Sequence, residues 1–164
     1  PTNLKISKDI NFIKVETAEE MFKATQNNLP ADVAIFSAAV ADFKIKNKKE
    51  YKIKKDDFFN LNLEKNIDIL NYVSKHNSMR PRLVIGFAAE TNDIEKNSKK
   101  KLKEKNCDWI IANDVLNRSI GFDSDFNEVK IFYKNDLIKE ETLTIKKKSD
   151  IADEITNRII DQLN

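Results

Sequence analysis

Three runs in this chain, "DVAIFSA", "RLVIGFA" and "DWIIAN", are apolar without alternating polar residues. A strand with one wet face alternates apolar and polar side chains, whereas a strand covered on both faces does not. Covering both faces requires helices, so these runs restrict the chain to an α/β architecture with a mainly parallel sheet. The intervening segments supply the helices. "TAEEMFKATQNNL" places Thr17 and Glu20 at capping-box spacing. "NIDILNYVSKHN" offers Ile67, Leu70, Tyr72 and Val73 as an apolar face, and "NDIEKNSKKKLKEKN" joins the second and third runs. "NFIKV" and "FFNLNL" read as further short strands, which gives the order β-α-β-β-α-β-α-β.

The last third changes character. "EVKIFY" and "LIKEETL" flank "KND", the pattern of an antiparallel hairpin. "SDIADEITNRIIDQLN" has Ser149 at the N-cap position and Ile151, Ile155, Ile159 and Leu163 at four-residue spacing, an amphipathic helix suited to packing on the sheet. A length of 164 residues fits one domain with a core of its own. The 29 basic residues face 27 acidic ones, so the net charge is only +2 and a general nucleic-acid-binding surface is not indicated. The single cysteine, Cys107, excludes an internal disulfide and suits a reducing cytoplasm. No apolar run reaches the roughly 18 residues of a membrane span, and no secretory signal pattern is present.

Gly86 and Gly121 are the only glycines, so the chain carries neither a G-x-G-x-x-G fingerprint nor a Walker loop. A phosphate site here must use lysines, helix N-termini or a glycine loop from elsewhere. Ligands of open parallel sheets collect beyond the C-terminal strand ends. Three such ends, "SAAVAD", "GFAAETND" and "ANDV", put small residues before a carboxylate or amide. Small side chains let a planar base or phosphate approach the backbone, although they serve tight helix packing equally well. Asp42 suits a Mg²⁺ ion against a triphosphate, or a turn or N-cap. Lys44, Lys46, Lys48, Lys49, Lys52, Lys54 and Lys55 crowd the next segment. Such a charge run is ordinarily a solvated face, but Tyr51 and Ile53 give "YKIKK" apolar anchors for folding over a polyanion with Lys52 at the developing charge. Lys101 and Lys105 share a helix face, and spacing alone makes them solvent-exposed. His76 lacks a neighbouring nucleophile, and Cys107 and Trp109 read as packing residues. There is no serine–histidine–aspartate set and no cysteine–histidine metal cluster, which argues against hydrolysis by a protein nucleophile.

"AAVADF", "KIKK", "KNIDIL", "GFAAET", "ANDV" and "GFDSDFNEV", in that order, closely resemble phosphopantothenoylcysteine synthetase, the synthetase half of a bacterial bifunctional coenzyme A enzyme. The resemblance runs over nearly the whole chain and implies a Rossmann-like three-layer α/β domain with a C-terminal antiparallel hairpin. It implies a ligase joining 4′-phosphopantothenate to cysteine at the expense of CTP, with Mg²⁺, in a cytoplasmic homodimer. It also implies a flavin-dependent decarboxylase, fused or separate, that has no counterpart here, so no flavin is expected in this domain. By matching position, Phe36, Ser37 and Ala38 line the nucleotide pocket, Asp42 lies beside the triphosphate and its cation, and Lys52 is the catalytic-loop lysine. Asn66, Ile67, Asp68 and Ile69 match a nucleotide-binding segment, Phe87 the aromatic of its motif, and Lys101 and Lys105 two nucleotide-contacting lysines. Ile67 stands where the family has proline. The family's opening strand, its G-P-T-[RK]-E turn and its S-N-x-S-S-G segment are absent, so residues 1–164 are expected to form a single synthetase domain lacking that strand and its glycine-rich phosphate loop, catalytically incomplete on its own. Two rivals remain: a non-catalytic nucleotide-binding or dimerisation fragment of such a synthetase, and an NAD(P)-binding oxidoreductase.

Overall fold

Thr17 and Glu20 do form a capping box: the Thr17 hydroxyl accepts from the Glu20 backbone N–H, and the Glu20 carboxylate accepts from the N–H of Thr17. The helix it starts, α1 (Ala18–Asn27), leads into β1 (Val33–Phe36). The protein is described here by a computed structural model covering residues 6–54, 60–90, 92–114 (backbone only at Asp114), 124–134 and 140–164. Parts of several sequence motifs lie outside the described residues: Lys55, Phe58, Phe59, Thr91, Val115, residues 121–123 and the hairpin turn at Asn135 and Asp136.

After β1 come β2 (Phe43–Ile45), β3 (Leu63–Lys65), α2 (Ile69–Ser74), β4 (Leu83–Glu90), α3 (Ile94–Lys105) and β5 (Trp109–Asp114). The chain ends with β6 (Phe126–Tyr133), β7 (Glu140–Lys147) and α4 (Lys148–Leu163). The main sheet has the order β1-β4-β5-β6-β7, and β2 and β3 form a separate two-stranded ribbon. β4 runs parallel to β1 and to β5, with Phe36 opposite Gly86 and Phe87 opposite Ile111. β6 and β7 add the antiparallel hairpin. The fold is thus α/β, with the buried apolar runs forming the parallel part of the sheet.

The two faces of the sheet carry separate cores. Leu83, Ile85, Trp109, Ile111, Val129, Ile131 and Leu143 pack against Ile151, Ile155 and Ile159 of α4. Val84, Ala88, Ile110, Ala112 and Phe132 pack against Ile69 and Val73 of α2, Leu102 of α3 and, at the margin, Met21 and Phe22 of α1. Each fully buried side chain of this size stabilises by roughly 1.5–3 kcal/mol, so these two cores outweigh any surface pairing. Gly86 lets α2 sit this close: a Cβ there would lie 2.7 Å from Leu70 Cδ2 and 3.0 Å from Ile110 Cδ1.

Four local expectations differ from the structure; the first is "FFNLNL", of whose described residues only Leu63 lies in a strand, as the start of β3. "NFIKV" is not a strand, and Phe12 and Ile13 are exposed, because no described strand offers it a ladder. Ile67 precedes α2 and is exposed, so Ile69 takes its place in the core. Ser149 is not the cap of α4: β7 runs straight into the helix, Lys147 occupies the cap, and the Ser149 hydroxyl donates to Asp150 instead.

On the outer face of β7 and α4, Arg158 is held by Glu141 and Glu154, and Tyr133 Oη donates to Glu141 Oε2 at 2.9 Å. The Arg158 guanidinium holds the Glu141 carboxyl below the usual carboxylate range, with the Tyr133 hydroxyl adding to the effect. A carboxylate whose pKa is lowered by folding contributes stability above its unfolded value and loses it as pH falls through the folded one. Glu141→Gln is therefore expected to destabilise the domain near neutral pH. That gap should close as pH is lowered below about 4, read from denaturant midpoints at each pH.

Candidate functional site

The C-terminal ends of β1 and β4 lie side by side, because Phe36 pairs with Gly86. Phe36 is half-buried against the α2–α3 core, while Ser37 and Ala38 leave the sheet exposed, next to Phe87. The chain then passes through Ala41 and Asp42 to the foot of the β2–β3 ribbon. There Asn66 binds back twice: its backbone N–H donates to Asp42 O at 2.8 Å, and its side-chain amide donates to Ala41 O at 2.8 Å. The Asp42 carboxylate is exposed beside this junction.

From Asn66 the chain turns into α2. Asp68 caps that helix by accepting from the Asn71 N–H at 2.9 Å, and its second oxygen accepts from Lys105 Nζ. Ile69 is buried in the core, which leaves its backbone rather than its side chain for a ligand. Ile67 is exposed. Lys105 thus reaches from the last turn of α3 to the start of α2. One turn earlier on α3, Lys101 Nζ sits 2.7 Å from Oε1 of Glu90, the last residue of β4. The lysine pair that spacing assigns to solvent is only half-exposed and is held at both positions by carboxylates.

β4 alternates at its end: Phe87 and Ala89 are exposed, while Ala88 and Glu90 are buried. Glu90 is in phase with Val84, Gly86 and Ala88 on the face that meets α2 and α3, and Phe87 is in phase with Leu83 and Ile85 on the α4 face. Asp68, Lys101 and Lys105 therefore gather on one side of the sheet edge and Phe87 on the other, so a ligand touching all of them crosses the edge. Among the described residues no contact brings Lys52 to this group. It is exposed in the 46–62 connection that the ribbon carries, where the Lys49 ammonium lies 5.8 Å from the Tyr51 ring centroid. The ribbon continues one bond beyond its strands, Lys46 N–H to Asn62 O at 2.8 Å, so the connection is anchored at its base.

Sequence reasoning missed Glu90. The signal lay in the strand phase, since a charged residue two positions after Ala88 must be buried if the strand continues. A cavity of about 700 Å³ lies elsewhere, at the N-terminal ends of β4 and β5, between Arg82, Trp109, Tyr133, Arg158 and Leu163. None of the sequence-identified site residues borders it, and its Arg158 is already engaged by Glu141 and Glu154. Among the described residues no three histidine, cysteine, aspartate or glutamate side chains cluster to cage a metal. No helix among them is long and apolar enough to cross a membrane.

Comparison with known proteins narrows what this edge belongs to. Over 164 residues the chain is 38% identical to the coenzyme A biosynthesis bifunctional protein CoaBC of Haemophilus influenzae, covering 99% of this chain and 40% of that protein. Over 150 residues it is 41% identical to the Bacillus subtilis protein of the same name, covering 90% of this chain and 36% of that one. The chain thus spans about two fifths of the length of the curated relatives it matches. The crystal structure of a CoaBC C-terminal domain superimposes with a TM-score of 0.76 at 31% identity, over 99% of this chain and 71% of that one. A Streptococcus pneumoniae DNA/pantothenate metabolism flavoprotein shares the fold, with a TM-score of 0.72 at 19% identity over 98% of this chain and 74% of that one. Residues 1–163 match the DNA/pantothenate metabolism flavoprotein C-terminal domain, so the sheet edge formed by β1, β4 and α3 belongs to a member of that family.

Proposed function

We propose that this domain is the phosphopantothenate–cysteine ligase part of a coenzyme A biosynthetic protein. The observation that carries the reading is the tethering of three separate segments at one sheet edge: Asn66 to Ala41 and Asp42, Asp68 to Lys105, and Glu90 to Lys101. In this reading the 4′-phosphopantothenate carboxylate attacks the α-phosphorus of CTP, pyrophosphate leaves, and the cysteine amine then displaces CMP to form the amide. The nucleophiles come from the substrates, so the protein supplies position and positive charge. Phe36, Ser37, Ala38, Phe87 and the Asn66–Ile69 segment frame the nucleotide, and Lys101 and Lys105 meet its phosphates. Lys52 descends on the connection carried by the ribbon to meet charge in the transition state.

One exposed carboxylate without a protein cage suits Mg²⁺, which keeps most of its waters and is bound through one or two carboxylates and substrate phosphates. Asp42 would hold that ion, which supplies charge neutralisation at the triphosphate. Asp42→Asn should weaken Mg²⁺-dependent CTP binding about tenfold and leave Mg²⁺-free binding unchanged, as read by calorimetry. An unaltered CTP affinity would remove Asp42 from the site.

Three further parts complete the reading. The family invoked here carries a further strand and a glycine-rich phosphate segment in this domain, and the edge of β1, where Ile35 is half-exposed, has no partner among the described strands. Two copies associate through the ribbon, whose Phe43, Ile45 and Leu63 are exposed together with Leu61. A flavin-dependent decarboxylase, fused or separate, supplies the second activity of such a bifunctional protein in the cytoplasm. The deciding experiment measures pyrophosphate release from CTP or ATP with 4′-phosphopantothenate, for residues 1–164 and for a chain extended at its N-terminus. Release by the extended chain is expected. Its absence, with intact folding, would favour a nucleotide-binding or dimerisation fragment, a reading supported by the lack of any contact from Lys52 to the other site residues among the described residues.

A further inference from the structure

Glu90 is a buried carboxylate, 8% exposed, at the end of a rigid central strand. Burying an ionised carboxylate costs several kcal/mol unless a positive partner and hydrogen bonds offset it. Its surroundings do this incompletely. Asn97 Nδ2 donates to Oε2 at 3.3 Å while also donating to Asn92 O at 2.9 Å. Oε1 is met by the Lys101 ammonium at 2.7 Å, yet accepts no aligned hydrogen bond among the described residues. The pair is thus a charge contact, not a saturated network. Lys101 is itself 42% exposed. With one oxygen before it, its remaining N–H donors are left for another acceptor.

Asn97 and Lys101 are one turn apart on α3, so Glu90 fixes the orientation of that helix on β4 as well as the reach of one lysine. Without this anchor a lysine side chain samples many rotamers, and ordering it on a ligand costs side-chain entropy. We infer that Glu90 is a positioning residue, which pins Lys101 at the strand edge so that its ammonium is already aimed when a nucleoside triphosphate arrives. This rests on the nucleotide-binding reading above but assigns a role to a residue outside it. Two effects oppose each other when the charge is removed: Lys101 loses its anchor, and the local potential becomes more positive. Lys101 is nearly half in water, where the Coulomb gain is screened, so loss of the anchor dominates.

The test uses the full-length chain and compares CTP with CMP by calorimetry for wild type, Glu90→Gln, Lys101→Met and the double variant. Glu90→Gln should weaken CTP about tenfold, leave CMP unchanged, and have no further effect once Lys101 is methionine. Equal weakening of CTP and CMP would mean a merely structural role and overturn the inference. So would tighter CTP binding, no change, or an undiminished effect in the Lys101→Met background. Glu90→Asp keeps the charge but withdraws it, and should lower the CTP-to-CMP affinity ratio by a smaller factor. Should Glu90→Gln fail to fold, an unchanged ratio in Glu90→Asp overturns the inference. The underlying reading fails separately, if wild type does not bind CTP or Lys101→Met binds it unaltered.

Discussion

Lys52→Gln is expected to lower the proposed amide formation about a hundred- to thousandfold in the full-length protein and to leave its thermal midpoint where it was. The first half follows from the proposed role, a cation supplied to charge that develops only in the transition state. Removing one such donor costs about 3–4 kcal/mol of barrier, and glutamine keeps the length but not the charge. The second half follows from the structure. Lys52 is exposed and touches no ion-pair partner among the described residues, and substitutions at such positions stay within about 0.5 kcal/mol. The loss should fall on kcat more than on KM, because in the proposed site other groups hold the ground-state triphosphate. Wild-type turnover by the variant would take Lys52 out of the chemistry.

Gly86→Val is expected to destabilise the domain by about 3 kcal/mol and to weaken nucleotide binding as well. The first carbon of the new side chain already falls 2.7 Å from Leu70 Cδ2, and the branch adds two more. Leu70 is partly buried against the core that holds Ile69, Val73, Val84 and Ile110, and Ile110 Cδ1 lies 3.0 Å from the same carbon, so α2 is expected to lift from β4. α2 begins at Asp68, which holds Lys105, and follows Asn66, which holds the foot of the ribbon. A packing change at mid-strand is thereby transmitted to the sheet edge. Guanidinium unfolding and CTP titration together check this. An unchanged denaturant midpoint would show that Leu70 repacks without moving the helix.

The parts of the fold legible in the sequence were those with a local cause. The unbroken apolar runs became β1, β4 and β5; the Thr17–Glu20 box became the start of α1; and four-residue isoleucine spacing became the buried stripe of α4. The failures have equally physical causes. "NFIKV" has the composition of a strand, but a strand exists only against a neighbour, and none of the described strands pairs with it. Ser149 has the chemistry of a cap, but the direct β7–α4 junction leaves no loop for it to cap from. The site divides in the same way. Resemblance proposed Asp68, Lys101 and Lys105 as site residues, whereas the ion pairs they make depend on contacts across strands and helices: 37 residues separate Asp68 from Lys105. Glu90 was missed, and strand phase is the one sequence signal that pointed to it. The bond from Asn66 to Ala41 spans 25 residues and has no local signature.

Cys107, the only cysteine, sits wholly buried between the end of α3 and β5, and burial pushes its thiol up to about 11. A thiol so placed is inert toward alkylating reagents until the parallel half of the sheet parts from its helices. The rate at which a reagent captures it therefore clocks spontaneous opening of this half of the molecule, with no engineered probe. Nucleotide bound at the edge as proposed should slow that clock in step with the fall in the ligand-free fraction.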